Sequence, residues 1–234
     1  MDSLSKPVVE LTNISKIYGF IQALKNINLT IYPGETVGLV GNNGAGKSTL
    51  LKIISLLVKP TSGSINLFDK EVNDDIHLFK REIGVLLSFP FFYEDMTGRE
   101  NFNFFLQMKK RAINPQKVIQ DIITQYDLKL FIDRPFYELS TGMMKKLDIL
   151  RTVTPNFPKL LLLDEPFSGL DIENRRFLFN LIQKREVGST VIMCSHDLPS
   201  VKSVCSKIIF LEKGKIKKVL DPLEYDYLLD RIAQ

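Results

Sequence analysis

The chain contains the octapeptide Gly41-Asn42-Asn43-Gly44-Ala45-Gly46-Lys47-Ser48, which fits the pattern Gly-x-x-x-x-Gly-Lys-Ser/Thr. The apolar run Thr36 to Val40 precedes it, and apolar residues recur at helical spacing from Lys47 to Val58. A phosphate-binding loop requires this order of strand, glycine-rich loop and helix. The glycines let backbone N–H groups face phosphate oxygens, Lys47 adds positive charge, and the Ser48 hydroxyl can bind Mg²⁺. We therefore predict a site for a nucleoside triphosphate at this loop.

A second apolar strand ends in two adjacent carboxylates, in the segment Leu160-Leu161-Leu162-Leu163-Asp164-Glu165. The carboxyl ends of parallel strands meet at one edge of a sheet, so both acids are expected beside the phosphate loop. We predict that Asp164 holds Mg²⁺ and that Glu165 acts as general base on the attacking water. Taken alone, the segment also fits a solvated strand end without a catalytic role.

The rest of the chain falls into three kinds of segment. Residues 7–40 read as short strands, with Ile27, Leu29 and Ile31 in alternation before a Pro33-Gly34 turn, which predicts an antiparallel β start. Residues 98–151 have helical periodicity, in segments from Asn101 to Lys110, Pro115 to Tyr126 and Thr141 to Thr152. The strand-like runs Leu160 to Asp164, Thr190 to Ser195 and Lys207 to Glu212 then alternate with helical stretches, which is typical of a parallel sheet.

The predicted fold class is therefore α/β. We expect a P-loop NTPase core with a mostly parallel sheet, an N-terminal antiparallel β subdomain and an inserted α-helical subdomain. Residues 1–234 would form a single domain, with the core and β subdomain in 1–83 and 152–234 and the helical subdomain in about 84–151. A last amphipathic helix is expected from Pro222 to Ala233.

Composition limits the kinds of partner. The 234 residues carry a net charge of +4 without a basic block, so we expect no nucleic-acid partner. Cys194 and Cys205 lie in apolar surroundings, which favours a reduced, cytoplasmic compartment. The start of the chain does not read as a leader, and no apolar run approaches the ~18 residues of a spanning helix. The chain itself is expected neither to enter nor to cross a membrane.

Further motifs narrow the class. The segment Leu139-Ser140-Thr141-Gly142-Met143 resembles the LSGGQ signature of ABC-type ATPase cassettes, Ser168-Gly169-Leu170-Asp171 is similar to their D-loop, and Ser195-His196-Asp197 is similar to their switch histidine motif. Tyr18 stands where the family places an aromatic ring against adenine. The motifs follow the family's order, and the resemblance extends from about Val8 to Lys217. The chain thus resembles the ATP-binding subunit of an ABC transporter.

This resemblance implies an Mg²⁺-dependent ATPase that works as a head-to-tail dimer with a second cassette, either identical or related. Ser140 and Gly142 of one subunit would reach the γ-phosphate bound by the other. The implied catalytic residues are Glu165, His196 and Lys47, and the implied metal ligands are Ser48 and Asp164. The implied nucleotide-binding residues are Tyr18, Gly41, Asn42, Asn43, Gly44, Ala45, Gly46, Lys47, Ser48, Thr49, Ser140, Gly142 and Asp171.

Local alternatives remain for several of these residues. A lone histidine such as His196 is more often structural than catalytic. Tyr18 could pack on its neighbours, and Asp171 could cap the helix that follows it.

The chain departs from the family in three places. Ser88 replaces the usual Gln in the loop between the lobes, and its shorter side chain would need a bridging water to reach Mg²⁺. Thr141 and Met143 replace the second Gly and the Gln of the signature. The run from Phe89 to Tyr93 is rich in aromatic residues, which fits either a docking patch for a permease or a buried cluster between lobes.

The leading hypothesis is a subunit that hydrolyses ATP to power a separate transmembrane permease. It would lie in the cytoplasm, peripherally on the inner face of the cell membrane. The signature pattern together with Asn42-Asn43 looks more like that of exporters than of importers. The alternatives are a soluble ABC ATPase that serves assembly or regulation without transport, and a nucleotide sensor with feeble turnover. No residue identifies a transported substrate.

Overall fold

The structure is a computed structural model that describes residues 6–73, 75–109, 114–221 and 224. The described strands are β1 Val9–Tyr18, β2 Ile21–Ile31, β3 Thr36–Val40, β4 Ser62–Leu67, β5 Lys70–Glu71, β6 Ile83–Leu86, β7 Leu160–Asp164, β8 Thr190–Cys194, β9 Lys207–Glu212 and β10 Lys215–Leu220. The described helices are α1 Lys47–Ile54, α2 His77–Lys80, α3 Gly98–Lys109, α4 Pro115–Gln125, α5 Thr141–Val153, α6 Ile172–Gln183 and α7 Leu198–Val204. Of the helix expected from Pro222 to Ala233, the structure describes only Glu224, and the rest of that prediction lies outside the described residues.

The strands form two sheets. The first is antiparallel with the order β2-β1-β4-β5. The second has the order β10-β9-β3-β8-β7-β6 and is parallel except for β10 at its edge. Every residue of β3, β7 and β8 is buried, as expected for central strands that are covered on both faces. The predicted fold class is confirmed.

The order of the second sheet brings the sequence motifs together. Strands β3, β8 and β7 are neighbours, and Cys194 at the end of β8 is paired with both Leu39 of β3 and Asp164 of β7. The phosphate loop, the acidic pair and the switch histidine segment each follow one of these strands. All three therefore emerge at the same edge of the sheet.

The helical segment has its own apolar core, which includes Phe102, Ile119, Phe136 and Leu147. The structure extends α3 back to Gly98, one turn before the predicted start at Asn101. The cause is a capping box. The Thr97 backbone N–H donates to Glu100 Oε2 at 2.8 Å, and the Glu100 N–H donates to Thr97 Oγ1 at 3.2 Å.

Two other boundaries differ from the expectations. Helix α1 ends at Ile54 rather than at Val58, because Leu56 takes a left-handed conformation with φ 59°. Strand β6 pairs with β7 up to Leu86, so the helical segment begins after that strand. The division into core, β subdomain and helical subdomain stays a proposal, with the helical subdomain beginning after Leu86 rather than at residue 84. No helix within the described residues combines the length and apolar character needed to span a bilayer.

Candidate active site

The phosphate loop borders an open cleft of about 480 Å³. Its lining includes Asn43, Gly44, Gly46, Lys47, Ser48, Thr49 and Glu165, together with Ile21, Gln22, Ala23, Lys25, Lys213 and Gly214 from two hairpins. Gly46 has φ 106°, and a Cβ there would lie 2.7 Å from Leu24 Cδ2 and 2.8 Å from the Ala23 carbonyl oxygen. Glycine is required at this position because any other residue would be strained at this φ and its side chain would clash with strand β2.

Lys47 holds a positive charge at the base of the cleft. It is the first residue of α1 and is buried. Its ammonium donates to the backbone carbonyls of Gly41 at 2.7 Å and Asn42 at 3.2 Å. The N-terminal N–H groups of α1 add to the positive potential. The loop therefore offers a site for an anion of high charge, such as a triphosphate.

Asp164 joins the phosphate loop to the loop between the lobes. The carboxylate is buried, and each of its oxygens accepts a hydrogen bond from a serine hydroxyl. Ser48 donates to Oδ1 at 3.0 Å, and Ser88 donates to Oδ2 at 3.2 Å. Ser88 thus reaches the predicted metal ligand directly, a contact that the sequence did not reveal. The set consists of hard oxygen donors, which suits Mg²⁺.

Glu165 lines the cleft, and His196 is in contact with Glu165. The imidazole Nδ1 is 2.8 Å from Glu165 Oε2, which also accepts from the Ser195 hydroxyl at 3.3 Å and the His196 backbone N–H at 3.4 Å. Glu165 itself has φ 48°, and its N–H donates to the Cys194 carbonyl at 2.8 Å. The imidazole is 70% exposed and the carboxylate 24%. The arrangement leaves one carboxylate, held from several sides, next to the phosphate loop.

The four predicted nucleotide-binding residues outside the phosphate loop do not line this cleft. Ser140 is the exposed N-cap of α5, and its hydroxyl accepts from the Met143 N–H at 3.3 Å. Gly142 packs so closely that a Cβ there would lie 2.8 Å from Asn174 Nδ2. Asp171 caps α6 by accepting from the Asn174 N–H at 2.8 Å, as the local alternative proposed. The Tyr18 ring is 44% exposed and lies under the Lys16 ammonium at 5.0 Å.

Two lysines of the cleft were missed in the sequence. Lys25 of β2 and Lys213 of the β9–β10 turn both line it. Their hairpins are fixed on the loop by backbone bonds from the Lys25 N–H to the Gly214 carbonyl at 2.8 Å and from the Gly214 N–H to the Ala45 carbonyl at 3.0 Å. No sequence motif contains these lysines. They come close to the phosphate loop only because two hairpins that are distant from each other in the sequence pack against it.

The aromatic run after Ser88 divides between core and surface. Phe92 stacks on Phe136 with ring centroids 4.5 Å apart and belongs to the core of the helical segment. Phe89, Phe91 and Tyr93 are 84%, 49% and 53% exposed. The run is therefore part core and part surface, and a docking role for its exposed residues stays a prediction.

Known proteins are similar to this chain over most of its length. Residues 24–168 match the family described as ABC transporter. The chain is 30% identical over 232 residues to the bacitracin transport ATP-binding protein BcrA of Bacillus licheniformis, covering 96% of this chain and 72% of BcrA. It is 35% identical over 232 residues to the maltose/maltodextrin import ATP-binding protein MalK of Escherichia coli K12, covering 96% of this chain and 61% of MalK.

A solved structure has the same fold. The dimeric ATP-binding cassette MJ0796, bound to ADP and Pi, superposes with a TM-score of 0.83 at 30% identity, covering 92% of this chain and 98% of that one. The chain belongs to the ABC transporter family, as an ATP-binding cassette subunit that hydrolyses ATP in a reaction coupled to transport.

Proposed function

We propose that this chain lies on the cytoplasmic face of the membrane, powers a separate transmembrane permease in export, and acts as a dimer of cassettes. The coupling to a permease is supported by a surface groove beside the exposed aromatic residues. These residues belong to the same loop as Ser88, whose hydroxyl donates to Asp164. The proposal includes the roles of Glu165, His196, Lys47, Ser48 and Asp164.

The reaction is attack of water on the γ-phosphate. The water oxygen forms a bond to the γ-phosphorus while the bond from that phosphorus to the bridging oxygen breaks, which releases ADP and inorganic phosphate. Glu165 takes the proton of the water, and His196 holds the carboxylate through the 2.8 Å contact. Lys47 stabilises the negative charge on the phosphate oxygens.

The oxygen donors at the cleft fit Mg²⁺, and Ser48 and Asp164 would hold it. When bound, the ion would neutralise charge on the β and γ oxygens of ATP. Ser88 fixes the second oxygen of Asp164 at 3.2 Å, so the loop between the lobes orients this ligand.

A second cassette is needed because one chain leaves its signature segment unused. Ser140 and the N-terminus of α5 are exposed and do not line the cleft of their own chain. A helix N-terminus attracts anions, so in a head-to-tail dimer this end of α5 would meet the γ-phosphate bound by the partner. The dimeric structures of the MJ0796 cassette support a dimer of cassettes.

The permease would dock in a groove of about 480 Å³ between the core and the helical segment. Its lining includes Leu57, Ile83, Phe91, Phe105, Met108 and Arg151. The Arg151 guanidinium lies 5.5 Å from the Phe91 ring centroid and 5.1 Å from that of Phe105. Aromatic residues with an arginine are typical of the central residues of protein interfaces, and a short amphipathic helix of a permease would fit the groove.

Replacing the exposed aromatic of the groove tests this proposal. Phe91→Ala is expected to weaken binding to the permease by about 30-fold or more, the scale of an interface hot spot. The measurement is the fraction of the chain that sediments with membranes of cells that contain the permease. Val187→Ala, at an exposed residue before β8, is the control. Membrane recovery of Phe91→Ala equal to that of the control would contradict docking in this groove.

The proposed direction is export. It rests on the signature Leu139 to Met143 and on Asn42-Asn43, which are similar to exporter-type cassettes. The names of the relatives include both import and bacitracin transport proteins, so transport measured in inverted membrane vesicles is the direct test.

A further inference from the structure

Lys145 connects the helical segment to the acidic end of β7. It lies in the second turn of α5, and its ammonium donates to the backbone carbonyl of Glu165 at 3.3 Å. The side chain also lines a separate cavity of about 350 Å³, together with Ser88, Thr141, Met144, Glu165 and Gly169. This cavity separates α5 from the strand end, and Lys145 bridges it.

The hydrogen bond from Lys145 is made to Glu165, a residue with an unfavourable backbone conformation. Glu165 has φ 48°, a left-handed conformation that is unfavourable for a residue with a side chain. Its N–H donates to the Cys194 carbonyl at 2.8 Å, and its carbonyl accepts from the Ser168 N–H at 3.3 Å in addition to Lys145. These bonds determine where the side-chain carboxylate points, because rotation of either neighbouring peptide would move it.

Charge complements this hydrogen bond. Burial lowers the pKa of Lys145, while the carboxylates of Asp148, Asp164 and Glu165 act in the opposite direction. Asp148 lies one turn further along the same helix, is buried and forms an ion pair with Arg151. A cation at Lys145 offsets the mutual repulsion of Asp164 and Glu165, which are adjacent in the chain.

We propose that Lys145 is a positioning residue for ATP hydrolysis: its ammonium fixes the backbone of Glu165 from α5 and makes the aim of the carboxylate depend on the position of the helical segment. This inference rests on the general-base role proposed for Glu165. It assigns to Lys145 no contact with ATP.

Lys145→Met tests the proposal, with Lys146→Met as the matched control. Lys146 is the next residue of α5, and its ammonium instead lies 5.4 Å from the centre of the Phe177 ring. Lys145→Met is expected to lower kcat by roughly 10- to 100-fold, the scale of a small misplacement of a catalytic group, with little change in KM for ATP. Lys145→Arg, which retains a charged donor, is expected to recover most of the lost turnover.

Amide hydrogen exchange gives a readout that does not depend on turnover. In Lys145→Met the peptide that contains residues 165–170 is expected to exchange faster than in Lys146→Met. The proposal is overturned if Lys145→Met has the kcat and exchange rates of the control, or if Lys145→Arg is as slow as Lys145→Met. It is also overturned if kcat and KM change together with a loss of thermal stability.

Glu165→Gln separates this inference from the proposed function. If Glu165→Gln hydrolyses ATP at the normal rate, the general-base role fails, and the role of Lys145 fails with it. If Glu165→Gln is inactive while Lys145→Met is fully active, only the inference about Lys145 fails.

Discussion

Glu165→Gln is expected to lower the rate of ATP hydrolysis by roughly 10²–10⁴-fold, the usual loss when a general base is removed. The amide has the shape of the carboxylate and keeps an oxygen that can accept from the Ser195 hydroxyl and the His196 N–H. It cannot take a proton from water. ATP affinity should therefore stay close to that of the unchanged chain, which equilibrium binding measured beside single-turnover hydrolysis would check.

The control for this substitution is Glu71→Gln, at an exposed carboxylate of the edge strand β5. It makes the same chemical change away from the cleft and is expected to leave both turnover and affinity unchanged. Turnover of Glu165→Gln at the level of Glu71→Gln would remove Glu165 from its role. A large loss of ATP affinity would instead assign it to binding.

Lys47→Ala is expected to weaken ATP binding by about 10- to 100-fold, which corresponds to about 1.5–3 kcal/mol for a hydrogen bond to a charged group. Lys47 is buried and has carbonyl oxygens of its own loop as hydrogen-bond acceptors. A triphosphate offers a stronger, charged acceptor to the same ammonium, so the loss should appear in the ground-state complex. Calorimetric titration of ATP into the variant measures it.

Lys52→Ala provides the comparison for Lys47→Ala, because Lys52 lies in the last turn of the same helix and does not line the cleft. Its affinity for ATP should be that of the unchanged chain. An equal affinity in Lys47→Ala would show that the loop binds phosphate without this cation, and the assignment would be wrong.

The parts of the fold that the sequence predicted well are those where local pattern and tertiary environment agree. Strands β3, β7 and β9 occur at the predicted bounds, because each is a short apolar run of a buried parallel sheet. The capping box of Thr97 and Glu100 was also readable and would have placed the start of α3 correctly. The end of α1 had no such signal, since Leu56 is neither glycine nor proline.

The candidate site was predictable where a motif follows a strand. The loop around Lys47 and the pair Asp164 and Glu165 meet because their strands are close in one sheet. The contacts of Ser88 with Asp164 and of Lys145 with Glu165 depend on how the helical segment packs on the core. The position of Ser88 in the loop between the lobes was readable from the order of the motifs, but its contact with Asp164 was not. Lys145 belongs to no motif, so its contact with Glu165 could not be derived from the sequence either.

We propose that the catalytic site is completed between two cassettes. The most direct measurement is the solution mass of Glu165→Gln in the presence of ATP and Mg²⁺, compared with ADP and Mg²⁺, because slow hydrolysis preserves the triphosphate complex. We predict a dimer of the 26.8 kDa chain with ATP and a monomer with ADP. A monomer under both conditions, at ATP concentrations that saturate the cleft, would contradict a site shared between two copies of this chain.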